Sequence, residues 1–143
     1  VWYNLYVSET RIFISADTDR FAQKQRWTDS DLIRAVTDVE QGLHDGALGP
    51  GVYKRRIARA GSGKSGGFRL VIVLRIENRA FLVEAFAKNV KFTHTPRELE
   101  ALRELASTLL NLSEEQIAKA TASGQFRELL RTRHEDADQK SND

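Results

Sequence analysis

A chain of 143 residues, 41% apolar and 29% charged, has the size and balance of one soluble globular domain, and its formal charge of +2 is too small to imply nucleic acid by itself. With no cysteine and three scattered histidines it offers no disulfide framework, no thiolate chemistry and no usual zinc set, which suits a reducing cytoplasm. No apolar run approaches the ~20 residues of a membrane span, and no signal-peptide pattern is visible.

The chain opens on Val1 and contains no methionine, the pattern of a start that has been trimmed or replaced. Residues 2–14 are rich in β-branched and aromatic types and predict a strand. Asp17-Thr18-Asp19 opens a helix through Arg26, anchored by Phe21 and ended at Trp27. Thr28 caps a second helix, with Asp29 and Asp31 in its first turn. Leu32, Ile33, Val36, Val39 and Leu43 recur at helical spacing and predict its buried stripe, and Gly42 and Gly46 mark its end. A loop over 46–51 with three glycines and a proline leads into a basic strand over 52–59.

A glycine-rich turn and a second strand over 68–76 follow, then a tight turn at Glu77-Asn78-Arg79. The third strand, 80–87, is apolar on both faces and so reads as central. Thr95-Pro96-Arg97-Glu98 combines a cap, a proline at the first helical position and a capping-box glutamate, predicting a helix through Leu99, Leu102, Ala106, Leu109 and Leu110. Ser113 to Gln116 repeats the capping logic for a short helix ending near Gly124. Gln125 to Leu130 fits a short strand or a helix equally. Residues 131–143 are polar without periodicity and read as a disordered tail after a single domain over 1–130. The order predicts an α+β fold: N-terminal helices on a curved antiparallel sheet, then C-terminal helices.

One stretch stands apart. Residues 46–76 hold Lys54, Arg55, Arg56, Arg59, Lys64, Arg69 and Arg75 and no acid, a local +7 in a chain that elsewhere mixes its charges. Side chains at i and i+2 share a strand face, so Lys54 and Arg56 point one way and Tyr53, Arg55, Ile57 and Arg59 the other. Phe68, Leu70, Ile72, Leu74 and Ile76 form an apolar face opposite Arg69 and Arg75. Paired as a hairpin, the strands bring Lys54, Arg56 and Arg69 together, as a polyanion-binding surface requires. The plainer alternative is a solvated strand face.

Ala58 to Ser65 resembles a loose phosphate-loop pattern, but that motif needs a helix N-terminus directly after the loop, and here Gly66-Gly67 and a β-run follow. Lys64 at the hairpin tip can touch a phosphate backbone without choosing a sequence. His44 and His134 read as surface residues. His94, between the third strand and a helix cap and close to Lys88, can act as acid or base near neutral pH. Glu84 is the sole carboxylate inside the three core strands; it reads first as an ion-pair partner for the cations and second as a base.

The run from Tyr53 to Ile72, containing Gly63-Lys64-Ser65-Gly66-Gly67-Phe68-Arg69, is followed by Ala80 to Asn89, ending Phe86-Ala87-Lys88-Asn89. Over roughly residues 10–130 this resembles the RelE/HigB toxins of bacterial type II toxin–antitoxin systems, and the pairing of those two motifs is similar to one RelE-like subgroup. The resemblance implies a small ribosome-dependent endoribonuclease, an mRNA interferase, that cuts message in the A site and inhibits translation. It also implies lysine and arginine in place of a metal or other cofactor, and a cognate antitoxin, a small helix-turn-helix protein, as partner beside ribosome and mRNA.

By resemblance, Lys54 and Arg56 match the family's lysine pair and Arg69 its phosphate-binding arginine. Lys88 and Asn89 fall where RelE has a lysine and an arginine, one cation fewer here. The tyrosine RelE places shortly after is replaced at His94 or Thr95, and in HigB-like relatives a histidine does this job. The implied catalytic set is Lys54, Arg56, Arg69, Lys88 and His94, with Arg55, Arg59, Lys64, Arg75, Asn89 and Lys91 binding RNA. Cleavage needs the 2′-hydroxyl deprotonated, the phosphorane stabilised and the 5′-oxygen protonated. Packed cations favour a neutral lysine base, and arginines bind the developing phosphate charge. Two alternatives stay open: a ParE-like toxin that poisons DNA gyrase, and a non-catalytic module that binds RNA, the ribosome or an acidic protein through the same face.

Overall fold

The computed structural model describes residues 8–57, 67–89, 91 and 93–131. The first part (2–7) of the strand expected over 2–14, the glycine loop carrying Arg59 and Lys64, and the tail from residue 132 onward, which holds His134, lie outside the described residues. The elements are β1 (Arg11–Ser15), α1 (Ala16–Lys24), α2 (Asp29–Glu40), β2 (Gly46–Gly49), β3 (Val52–Arg56), β4 (Phe68–Arg75), β5 (Arg79–Ala87), α3 (Pro96–Leu110), α4 (Glu114–Ala122) and β6 (Phe126–Leu129).

They build an α+β fold around one six-stranded sheet in the order β2-β3-β4-β5-β1-β6. β3 to β5 form the expected antiparallel meander, and β2, in the stretch expected to be a loop, adds a further antiparallel strand at its edge. β1 joins β5 in parallel, Phe13 opposite Phe81, and β6 runs antiparallel to β1, which makes the sheet mixed. The ambiguous segment near Gln125 is thus a strand, held by pairing with a partner more than a hundred residues away.

Helices cover both faces. Ile12, Ile14, Leu70, Ile72 and Leu82 pack against Ala22 of α1 and Leu32, Ile33, Val36 and Val39 of α2. Phe13, Val52, Val71, Val73, Phe81 and Phe86 pack against Ala106 and Leu109 of α3 and Ile117 of α4. Each large apolar side chain so enclosed contributes about 1.5–3 kcal/mol relative to exposure, so the two-faced β4 and β5 anchor the fold. Two expected core positions fall outside it. Leu43 lies past the end of α2, and Ile76 is in the turn after β4, where no facing layer reaches; both are more than half exposed.

The helix starts follow their local chemistry. Thr28 with Asp31, Thr95 with Glu98 and Ser113 with Gln116 each form a reciprocal capping box. Arg79, only 8% exposed, donates through its guanidinium to the carbonyls of Leu109 (3.3 Å) and Leu112 (2.7 Å). It thereby adds a donor at the C-terminal end of α3, where the Leu109 carbonyl otherwise accepts only from the turn amides of Asn111 and Leu112. At the C-terminal end Arg131 is not free tail: its side chain, 5% exposed, donates to Glu40 at 2.8 Å and to Thr37 at 2.8 Å. Among the described residues, no helix is long and apolar enough to cross a membrane.

Candidate active site

Hairpin register decides which cations meet. Arg56 is directly opposite Arg69, and Lys54 is opposite Val71. On the next strand Arg69 faces Phe86 and Val71 faces Glu84. Cross-strand partners share a face, so Lys54, Arg56, Arg69 and Glu84 all lie on the side of Phe86. Two rows result, Lys54–Val71–Glu84 and Arg56–Arg69–Phe86.

The second of these rows joins two like charges without a carboxylate between them. Several other cations are paired: Arg11 with Glu114 and Glu128, Arg79 with Glu114, and Arg127 with Asp19 and Asp29. Among the described residues, no carboxylate lies in ion-pair range of the Lys54, Arg56 or Arg69 side chains. What positions them is backbone chemistry. Asp45 accepts from the Arg56 backbone N–H at 2.5 Å, and Asp45 N–H donates to the Lys54 carbonyl at 2.8 Å. The Lys54 stem lies over Gly46, where an added Cβ would come within 3.4 Å of Lys54 Cε. Arg69 Nη1 donates to the Phe68 carbonyl at 3.1 Å.

A β-bulge controls the far side of this face. Register shifts between Val71 and Ile72, because Val71 pairs with Glu84 while Ile72 pairs with Leu82, leaving Val83 as the extra residue. Leu82 belongs to the core under α1 and α2, whereas Phe86 belongs to the core under α3. The bulge therefore re-aims Glu84 toward the cations. Glu84 does not pair with any of them, in contrast to its first reading: its Oε1 is 2.9 Å from Nε2 of His94. The His94 ring lies 5.5 Å from the Phe86 ring, edge to face, with its side chain only 2% exposed against 33% for Glu84. His94 Nδ1 is buried with no hydrogen-bond partner among the described residues.

Lys88 and Asn89, both exposed, follow the end of β5, and the Lys88 backbone N–H donates to the Gly67 carbonyl beside β4. Lys91 is bound to Glu98 at 2.5 Å and supports the α3 cap. That lysine, followed by the Thr95 backbone N–H, holds the Glu98 carboxyl down at about 2. Two other predicted residues stand apart from the cluster. Arg55 points to the α2 side, paired with Asp38 at 3.1 Å and Asp45 at 3.8 Å, because alternation puts it opposite Lys54 and Arg56. Arg75 sits at the other end of β4 and donates to the Leu110 carbonyl at 2.9 Å.

The Glu84–His94 contact was not foreseeable from alternation alone, since a bulge leaves no mark in a run of apolar residues. The only available signal was a lone carboxylate in an apolar strand ten residues before a lone histidine. A groove of about 580 Å³ lies elsewhere, between α3, α4 and β6, lined by Leu105, Leu109, Leu112 and Phe126 with Lys119 as its one charged residue. It has no cluster of acids or bases to do chemistry.

An unpaired cation cluster beside a carboxylate–imidazole pair can bind a phosphodiester and move a proton. No curated protein and no solved structure matches the chain. A family model described as "RelE toxin of RelE / RelB toxin-antitoxin system" matches residues 10–129, the span from the residue before β1 to the last residue of β6. The chain belongs to the RelE toxin family, the toxin side of a toxin–antitoxin system.

Proposed function

We propose that this toxin is a ribosome-dependent endoribonuclease that cuts mRNA in the A site and thereby blocks translation, and that a cognate helix-turn-helix antitoxin neutralises it. The observation that carries this reading is Arg56 opposite Arg69, with Lys54 beside them, without a carboxylate partner among the described residues. Like charges facing each other across a ladder are destabilising, so their retention favours a site built for an anion. A single-stranded message held by the ribosome supplies that anion, since free cations on a rigid strand pair bind phosphate without reading bases.

In this reading the 2′-oxygen attacks the adjacent phosphorus, and Arg56 and Arg69 bind the charge that develops on the phosphorane. The β3–β4 ladder holds their backbones opposite each other, so both cations are brought to the same stretch of sheet where that charge forms. Lys54 and Lys88 extend the field along the message, with Asn89, Arg59 and Lys64 as further contacts. The cations do here what a metal ion does in other phosphoryl-transfer sites, so no cofactor is invoked.

The test is primer extension on a message in a purified translation system, with wild type and Arg69→Ala, with and without ribosomes. Discrete cuts that need both the ribosome and Arg69 are the expected result. Blocked translation without cuts points to a binding module, and undisturbed translation in a toxic protein points to gyrase.

A further inference from the structure

We propose that Glu84 is the catalytic proton acceptor for the 2′-hydroxyl and that His94 is its positioning residue, an assignment that rests on the ribonuclease reading. It reverses the roles that residue type alone suggests, in which histidine does the proton transfer and the strand carboxylate neutralises a lysine.

Access decides between the two groups. The His94 side chain is 2% exposed, sealed beside Phe86, whereas Glu84 is 33% exposed. A ribose can reach the carboxylate and cannot reach the ring. Glu84 uses Oε1 to accept from His94, while Oε2 has no hydrogen bond from a described residue. With Nε2–H donating, Nδ1 is a bare acceptor, which suits its burial without a partner better than an orphaned N–H would. The imidazole is thus set to fix the carboxylate, much as second-layer groups fix metal-ligating side chains.

Placement on the sheet supplies the rest. The bulge at Val83 turns Glu84 onto the face of Lys54, Arg56 and Arg69. Val71 separates it from Lys54, so the two charges flank β4 from β3 and β5, about 10 Å apart at two strand spacings. In-line displacement needs a proton acceptor on one side of phosphorus and a donor on the other, and this row provides both. The P–O2′ bond forms as the 2′ proton passes to Glu84. The P–O5′ bond breaks as the 5′-oxygen takes a proton from the Lys54 ammonium. A 2′,3′-cyclic phosphate and a 5′-hydroxyl result, and water then returns both groups to their starting states.

Single-turnover cleavage on programmed ribosomes tests this, with ribosome co-sedimentation and thermal melts showing that each variant binds and folds. Glu84→Gln, which keeps the hydrogen bond but cannot take a proton, is expected to slow cleavage by at least about 100-fold. Glu84→Asp, which retains a carboxylate, is expected to recover about tenfold of that loss. His94→Gln can donate from the position of Nε2 but cannot titrate, and is expected to stay within about fivefold of wild type, while His94→Ala falls by about tenfold or more. Glu84→Gln cutting within about threefold of wild type overturns the assignment, as does His94→Gln being as slow as His94→Ala, because then the ring itself moves the proton. Wild-type protein that does not cut overturns the ribonuclease reading and this one with it. Cutting wild type with an unaffected Glu84→Gln overturns this one alone.

Discussion

Arg56 and Arg69 face each other as direct partners across the β3–β4 ladder. Two guanidinium groups so placed repel, and among the described residues no carboxylate pairs with either of them. Arg69→Gln is therefore expected to leave stability unchanged or raise it by about 0.2–1 kcal/mol while abolishing toxicity. Urea denaturation beside a growth assay checks both halves. A variant that is both less stable and still toxic contradicts the account.

Arg79 makes a different kind of contribution. Buried at 8% exposure, it serves the carbonyls of Leu109 and Leu112 and meets Glu114 at 3.1 Å. Removing it takes the guanidinium donor from the Leu112 carbonyl and an ion-pair partner from Glu114, so Arg79→Met is expected to lower stability by about 2–4 kcal/mol. Arg79→Lys recovers part of this at most, since a single ammonium cannot span the same fork. Chemical denaturation of the three proteins gives the comparison.

Gly51 stands at φ +70°, and a Cβ there would come within 3.0 Å of the Leu74 carbonyl oxygen. The same glycine accepts from Leu74 N–H at 2.8 Å, so neither strand can retreat without losing that bond. Gly51→Ala is expected to cost about 1–3 kcal/mol, readable as a lowered denaturation midpoint with an unchanged slope.

The α3 cap has a pH signature. Glu98 falls from its ordinary 4.5 to about 2, first through its bond to Lys91 and then through the Thr95 backbone N–H. A carboxyl whose folded value is depressed stabilises the fold above its unfolded value and loses that contribution as pH falls through the folded value. Amide protection at the start of α3 is therefore expected to decline between pH 4.5 and about 2. In Glu98→Gln, which can keep the box but not the charge, that decline is expected to vanish.

Capping chemistry made the helices legible, because Thr28 with Asp31 and Thr95 with Glu98 act over three residues and need no tertiary partner. Alternation likewise separated Arg55 from Lys54 and Arg56, and the structure turns Arg55 to Asp38 as that separation requires. Longer-range features were not readable. Phe126–Leu129 is a strand only because β1 lies beside it, and four residues carry too little pattern to announce that. The site was legible as a set of cations and not as a geometry. Arg75 belongs to the acid-free stretch by sequence, yet it donates to the Leu110 carbonyl at the opposite end of β4. The extra residue at Val83 is invisible among apolar neighbours, although it decides which way Glu84 points.

The place of β1 bears on how such a protein comes into being. This strand is made early, yet its two neighbours in the sheet are β5 and β6, formed by residues 79–87 and 126–129. A nascent chain must hold β1 unpaired until β5 has emerged, and one edge of β1 open until β6 follows, since loop closure over such separations has to precede any reward. The sheet closes late, around its oldest strand. The sheet is therefore complete only once Phe126–Leu129 has joined β1, the pairing that spans the greater separation of the two.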